Sequence, residues 1–334
     1  MQTGSLGDLA QSYAMQSRNT VLKQDIQRLT TELGSGQVAD VRQAISGNTA
    51  YANDLERSLT KLDGYDLSTT EAGQFAGAMQ NALTHISDLN TAFRDTLISA
   101  SSSALNETSN NILTQADNTL DGIINALNTS ASGRSLFAGA ATDVQAIAPK
   151  EDLLDGLRTA VSGAGSVDDI LTAAQAWFDD SAGFSSIGYQ GADTSLAAIS
   201  LSNQESAQLD LRADNAAFHD TLRYLATIAL ADDPALGLTK AQQSELIQKS
   251  IPTAVSSNGQ IIGLQAEVGI SESKIEAASV RNSAERSSLE LARNELLSID
   301  PYQAATELEQ LQFQLESLFA ITSRMSQLSL VNYL

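Results

Sequence analysis

Side chains able to do acid–base or metal chemistry are few in this sequence, and their spacing argues against such a role. The two histidines, His85 and His219, stand far apart in helical patterns, and no partner motif surrounds either. The acidic pairs Asp168-Asp169, Asp179-Asp180 and Asp232-Asp233 place carboxylates side by side, as a cation site would need. Adjacent residues on a helix point in different directions, however, and each pair falls where a helix is expected to start or stop. Carboxylates at helix ends cap free N–H groups and interact favourably with the dipole, so we read these pairs as helix-end features. No Walker loop, G-x-G-x-x-G, H-E-x-x-H or G-x-S-x-G elbow is present. The lack of cysteine removes disulfides, thiolate metal sites and a thiolate nucleophile together. We expect a protein that is not an enzyme, with no catalytic residue, metal or cofactor.

Composition narrows the partners. Forty acidic residues against 19 basic ones leave a net charge of −21, which repels nucleic-acid phosphates and anionic membranes. No stretch reaches the roughly 18 uninterrupted apolar residues of a membrane helix. Even the apolar finish "SLFAITSRMSQLSLVNYL" is broken by Arg324, Gln327 and Asn332. The first residues lack a basic segment followed by an apolar run, so no cleavable Sec signal is expected. Neither nucleic acid nor membrane insertion is an expected partner.

With no reaction centre to position, the elements must be read from their apolar rows. Near the start, Met15, Leu22 and Leu29 form one heptad row and Ile26 with Leu33 another, with Asn19 as a polar member, ending at "LGSG". Two further helical stripes run through Phe75, Met79, Ala82, Ile86, Leu89 and Phe93, and through Leu113, Ala116, Leu120, Ile123 and Leu127. In the second half, Leu211, Phe218, Leu222 and Leu225 precede a row at strict seven-residue spacing: Ile261, Val268, Ile275, Asn282, Leu289, Leu296. Asn282 is its polar register-setter. The last stripe, Leu308, Leu311, Leu315, Leu318 and Met325, is out of phase with that row, and the break falls at "SIDPYQ". Pro301 removes a backbone donor while Asp300 can cap the next helix, so a domain joint is expected there.

Between about 131 and 210 glycines cluster, "TSLAAISL" and "SAQLDLR" read as short strands, and brief helices are expected near 150–161 and 167–178. The expected fold is mostly α. Amino- and carboxy-terminal arms form a long antiparallel bundle or coiled coil, with a small mixed α/β insertion in the middle. The expected division is 1–39 with 300–334 as a terminal coiled coil, 40–139 with 205–299 as a helical rod, and 140–204 as an outer insertion.

The two terminal stripes have little to bury themselves in. A lone pair of long helices gains too little from one shared seam to offset the entropy of ordering both, so other copies of the chain are the natural cover. The expected assembly residues are Met15, Leu22, Ile26, Leu29, Leu33, Leu308, Leu311, Leu315, Leu318, Met325, Leu328, Leu330, Val331 and Leu334. Periodicity alone also fits a stripe packed on the chain's own body, or a soluble cytoplasmic coiled-coil adaptor that binds partner helices.

Three segments carry a resemblance to a known family: "RLTTELGSGQVAD" (28–40), "GRSLFAG" (133–139) and the finish "AATELEQLQFQLESLFAITSRMSQLSLVNYL" (304–334). In this order, around a variable middle, they are similar to the flagellin superfamily. The Ser-Leu-x-x-Tyr-Leu ending resembles its hook–filament junction members more than its filament-forming flagellins, although a short flagellin is the near alternative. The resemblance implies a structural subunit of the bacterial flagellum, exported unfolded through the flagellar type III apparatus and assembled outside the cell through its terminal helices. It further implies a ring of identical subunits, with hook-associated protein 1, flagellin and an export chaperone as partners. An absence of disulfides suits a chain that must thread a narrow channel.

Overall fold

A computed structural model describes residues 4–40, 49–101 and 109–331, and the chain is mostly α. Helix α1 spans Gly4–Ser35, α2 Thr49–Ser101 and α3 Ser109–Leu127. The middle contains a hairpin of β1 (Ser130–Ala131) and β2 (Arg134–Ser135), helices α4 (Lys150–Val161), α5 (Val167–Asp179) and α6 (Phe184–Ile187), and a second hairpin of β3 (Ile199–Ser200) and β4 (Ser206–Ala207). Helices α7 (Ala216–Ala229), α8 (Lys240–Leu297) and α9 (Pro301–Val331) complete the chain. The two mid-chain helices coincide closely with the segments expected from periodicity. Both hairpins are antiparallel and very short, with Ser130 opposite Ser135 and Ile199 opposite Ala207.

Local chemistry sets the ends of these elements. Ser166 caps α5 by accepting the Asp169 amide at 3.2 Å, and its hydroxyl donates to the Asp169 carboxylate at 2.8 Å. Asn215 caps α7 through the Ala217 amide, and Thr239 and Gln242 form a reciprocal pair at the start of α8. A helix break falls at "SIDPYQ": α8 stops at Leu297, and the Asp300 carboxylate accepts the amides of Tyr302 and Gln303 to open α9, although residues 284–334 belong to one compact unit across it.

The chain divides into two compact units, residues 1–62 with 284–334 and residues 63–283. In the second, α2 and α8 run antiparallel. Asn90 donates to Ser257 at 3.3 Å, Thr91 to Asn258 at 3.0 Å, and Gln265 to Thr84 at 3.3 Å. The strict heptad row serves this packing, since Ile261, Val268 and Ile275 are buried. Asn282 is buried too, but its amide donates to the Leu201 carbonyl at 2.8 Å beside the second hairpin. Its polarity therefore ties α8 to the mid-chain segment.

One hydrophobic core runs through residues 63–283 and takes in α2, α3, α4, α5, α7, α8 and the segment after the first hairpin. Phe93 stacks on Tyr224, and Phe137 meets Phe218 edge to face. The Tyr224 hydroxyl donates to Asn90, which links α7 to α2 and through Ser257 to α8. Burial pushes that phenol's pKa up, so it remains a donor. The composition of "GRSLFAG" has a steric basis. Ser132 and Gly133, both at positive φ, turn the hairpin, Phe137 is fully buried, and Gly139 at φ 63° leaves no room for a Cβ against the Thr194 and Ala192 carbonyls.

Candidate assembly surface

In the terminal unit α1 and α9 pack against one another. Their antiparallel direction follows from paired points along the seam. The Thr322 hydroxyl lies 3.8 Å from the Met15 sulfur, the Lys23 ammonium sits 5.8 Å from the Phe319 ring centre, and Gln37 pairs with Ser298 at the base. That base is closed by two backbone bonds, Val38 N–H to the Leu297 carbonyl at 3.0 Å and Ile299 N–H to the Gly36 carbonyl at 3.2 Å. Gly36, at φ 73°, lets the chain leave α1 there.

The turn after α1 depends on one buried acid. Glu32 accepts two bonds from Arg28, at 3.1 and 3.2 Å, and a third from the Ala39 amide at 2.9 Å. Its side chain is otherwise shielded from water, with 5% of the residue exposed. The charged residues of "RLTTELGSGQVAD" thus hold the exit of α1 in place, which a reading confined to heptad positions does not detect.

The structure places the expected assembly residues unevenly. Leu22 and Leu29 are buried, whereas Met15, Ile26, Leu33, Leu308, Leu311, Leu315 and Leu318 are only half-buried along the seam. The side chains of Met325, Leu328, Leu330 and Val331, and the whole of Leu334, lie outside the described residues. Elsewhere in this unit Leu55, Leu59, Leu62 and Ala304 are buried, and they complete the small set of buried apolar residues described in it.

A second set of apolar residues was not identified by the heptad reading. Phe313, Phe319 and Ile321 on α9 are 70%, 51% and 52% exposed, and Tyr13 and Val21 on α1 are exposed as well. At 100° per residue Phe313 lies on the side of α9 opposite Leu311 and Leu315, while Phe319 and Ile321 flank the seam on either side. Between 311 and 321, α9 therefore carries bulky apolar residues beyond the seam face, interleaved with Gln312, Gln314 and Glu316, so its apolar surface is wider than a single seam with α1 covers. The signal was present in the sequence as bulky residues off the a and d positions.

Other candidate chemistry does not converge. His85 is exposed on α2, and His219 is half-buried on α7. The pairs Asp168-Asp169 and Asp179-Asp180 sit at the two ends of α5, and Asp232-Asp233 ends the turn after α7, as expected of helix-end residues. Asp233 accepts the Ala235 amide and the Arg158 guanidinium, and both hold its carboxyl below the usual range. Among the described residues no group of three or more His, Asp or Glu side chains is placed to hold a metal ion. No described helix is long and apolar enough to cross a membrane.

The fold and this surface define a class: a long-helix protein whose paired termini present more apolar surface than the chain itself covers. Comparison with known proteins bears on the fold. Residues 254–334 match the family described as the bacterial flagellin C-terminal helical region. Two solved structures share the fold. A putative flagellar hook-associated protein from Vibrio parahaemolyticus is 11% identical with a TM-score of 0.51, over 74% of this chain and 96% of that one. FlgL from Bacillus cereus is 14% identical with a TM-score of 0.53, over 72% of this chain and 99% of that one. No curated protein matches the chain in sequence.

Proposed function

We propose that this chain is a structural, non-enzymatic subunit of the bacterial flagellum, and specifically a junction protein of the hook-associated protein 3 kind that joins hook to filament. The observation that carries the reading is the set of exposed bulky residues on α9, Phe313, Phe319 and Ile321, which one antiparallel partner helix leaves uncovered. The flagellin-type match over 254–334 and the fold shared with FlgL support it.

In this reading residues 1–39 and 300–334 form the innermost domain of a tubular ring. Residues 40–139 and 205–299 form the helical rod, and residues 140–204 face outward. The assembly residues are the seam set together with Phe313, Phe319 and Ile321. Sister subunits bury the far side of α9, and hook-associated protein 1 and flagellin are the neighbours above and below. The chain reaches this place after export, unfolded and chaperone-bound, through the flagellar type III apparatus.

A second reading, a short flagellin that builds the filament itself, is favoured by the family matched at the C-terminal helices. Labelling the protein in intact flagella separates the two. A single band at the hook–filament boundary supports the junction, and label along the whole filament overturns it. Leu315→Asp or Leu318→Asp should leave residues 63–283 folded yet abolish incorporation, because an unpaired carboxylate cannot be enclosed without a large desolvation cost. Normal incorporation of either variant would remove the terminal stripe from the interface.

A further inference from the structure

His219 projects from the first half of α7 into a cluster of rings carried by α5 and α6. Its imidazole stands edge-on to Phe184 with centroids 4.6 Å apart and lies 6.2 Å from Phe178. Those two rings stack at 5.0 Å, and Trp177 meets both of them edge to face. Phe178 and Phe184 are fully buried. The Nε2 atom of His219 is also buried and has no hydrogen-bond partner. A neutral imidazole can carry one such silent nitrogen, but an imidazolium has two N–H donors and a charge to satisfy.

The charged groups bearing on this ring come from three places: Asp214 in the loop before α7, Asp179 at the end of α5, and Asp220 with Arg223 on α7 itself. Helix α6, Phe-Ser-Ser-Ile, brings none. Two of the three carboxylates are already engaged, Asp214 by Arg212 at 2.9 Å and Asp220 by Arg223 at 2.6 Å. Little negative charge is therefore left to welcome a proton on His219.

We propose that His219 is an acid-sensitive latch that holds α5 and α6 against α7, and that protonating it loosens residues 167–187 while the helical core of residues 63–283 stays folded. Burial outweighs the nearby carboxylates and lowers the imidazole's pKa below the ordinary 6.5. The unfolded chain then binds the proton more tightly than the folded one. The latch's contribution to stability is complete above pH 6.5 and is lost as the pH falls through the folded-state value. Carboxylates ordinarily titrate near ~4, well below that window. The other histidine, His85, is exposed on α2. The inference rests on residues 167–223 alone and stands or falls independently of the flagellar reading.

The chain carries its own reporter, because Trp177 is its single tryptophan and belongs to the cluster. The full chain is titrated from pH 8 to 5 while Trp177 emission is recorded. The expected result is a red shift in a one-proton transition centred below about 6.5. In His85→Gln the remaining imidazole C2–H resonance, that of His219, should titrate with the same midpoint. Amide exchange across 167–187, corrected for intrinsic rates, should quicken by up to about tenfold for each pH unit by which that midpoint is lowered. In His219→Phe, which fills the space with a ring that cannot titrate, the transition should vanish. A His219 midpoint at or above the ordinary 6.5 overturns the proposal, and this measurement needs no variant at position 219. A transition that persists in His219→Phe overturns it too.

Discussion

All six phenylalanines of residues 63–283 are buried, whereas both of those in the terminal unit, Phe313 and Phe319, are exposed. The charge is divided just as unequally. Residues 63–283 hold 27 of the 40 acidic and 10 of the 19 basic residues, so −17 of the net −21 lies there. One unit turns its rings inward and its charge outward, as a chain does when it must stay soluble and needs no partner for its core. The other leaves rings in water and carries little net charge to keep copies apart. The contrast teaches that the two units bury their apolar residues differently: the first covers its own rings by internal packing, and the second leaves Phe313 and Phe319 uncovered.

The largest test of that contrast is Phe218→Ala. Its ring is fully buried edge-on to Phe137, and such truncations cost about 3–5 kcal/mol. Chemical denaturation should show this loss in the transition of residues 63–283. Leu311→Ala, at a half-buried seam position, should move that transition hardly at all. Equal losses from the two variants would break the comparison.

A smaller effect belongs to Glu32→Ala. The substitution strands the Ala39 amide and the Arg28 guanidinium, and the loss of such a buried acceptor costs about 1–3 kcal/mol. Amide exchange should rise in residues 28–40 and around 297–304, the two strands of chain joined at the base, and remain unchanged between 72 and 278. Spread of the effect into the central core would show that the two units do not respond separately.

The smallest effect is a gain. Gly263 lies inside α8 with nothing within 4 Å of the position a Cβ would take. Gly263→Ala should stabilise the isolated chain by about 0.5–1 kcal/mol through helix propensity alone. A rise in the thermal midpoint checks it. A fall would mean that the space beside Gly263 is already occupied.

Much of the helical plan was legible in advance because helical burial is periodic. The row Ile261, Val268, Ile275 is buried as its spacing requires, and the expected helices near 150–161 and 167–178 are α4 and α5. Strand signals were weaker. Of "TSLAAISL" and "SAQLDLR" only Ile199–Ser200 and Ser206–Ala207 pair, since two-residue hairpins hold almost no pattern for a sequence reading to find. On the candidate surface, the seam residues were legible from their heptads. Phe313, Phe319 and Ile321 were not, because they violate the pattern that identified the seam.

By itself, then, the sequence determined the long helices, the helix break before Pro301 and the absence of cysteine chemistry, because each rests on residue type and local spacing. Tertiary structure alone decided that Asn282 bonds the Leu201 carbonyl, that Tyr224 reaches Asn90, and that His219 sits against Phe184 with a silent nitrogen. These pairings join residues far apart in the chain. Their energy depends on burial and direction in three dimensions, which no local pattern encodes.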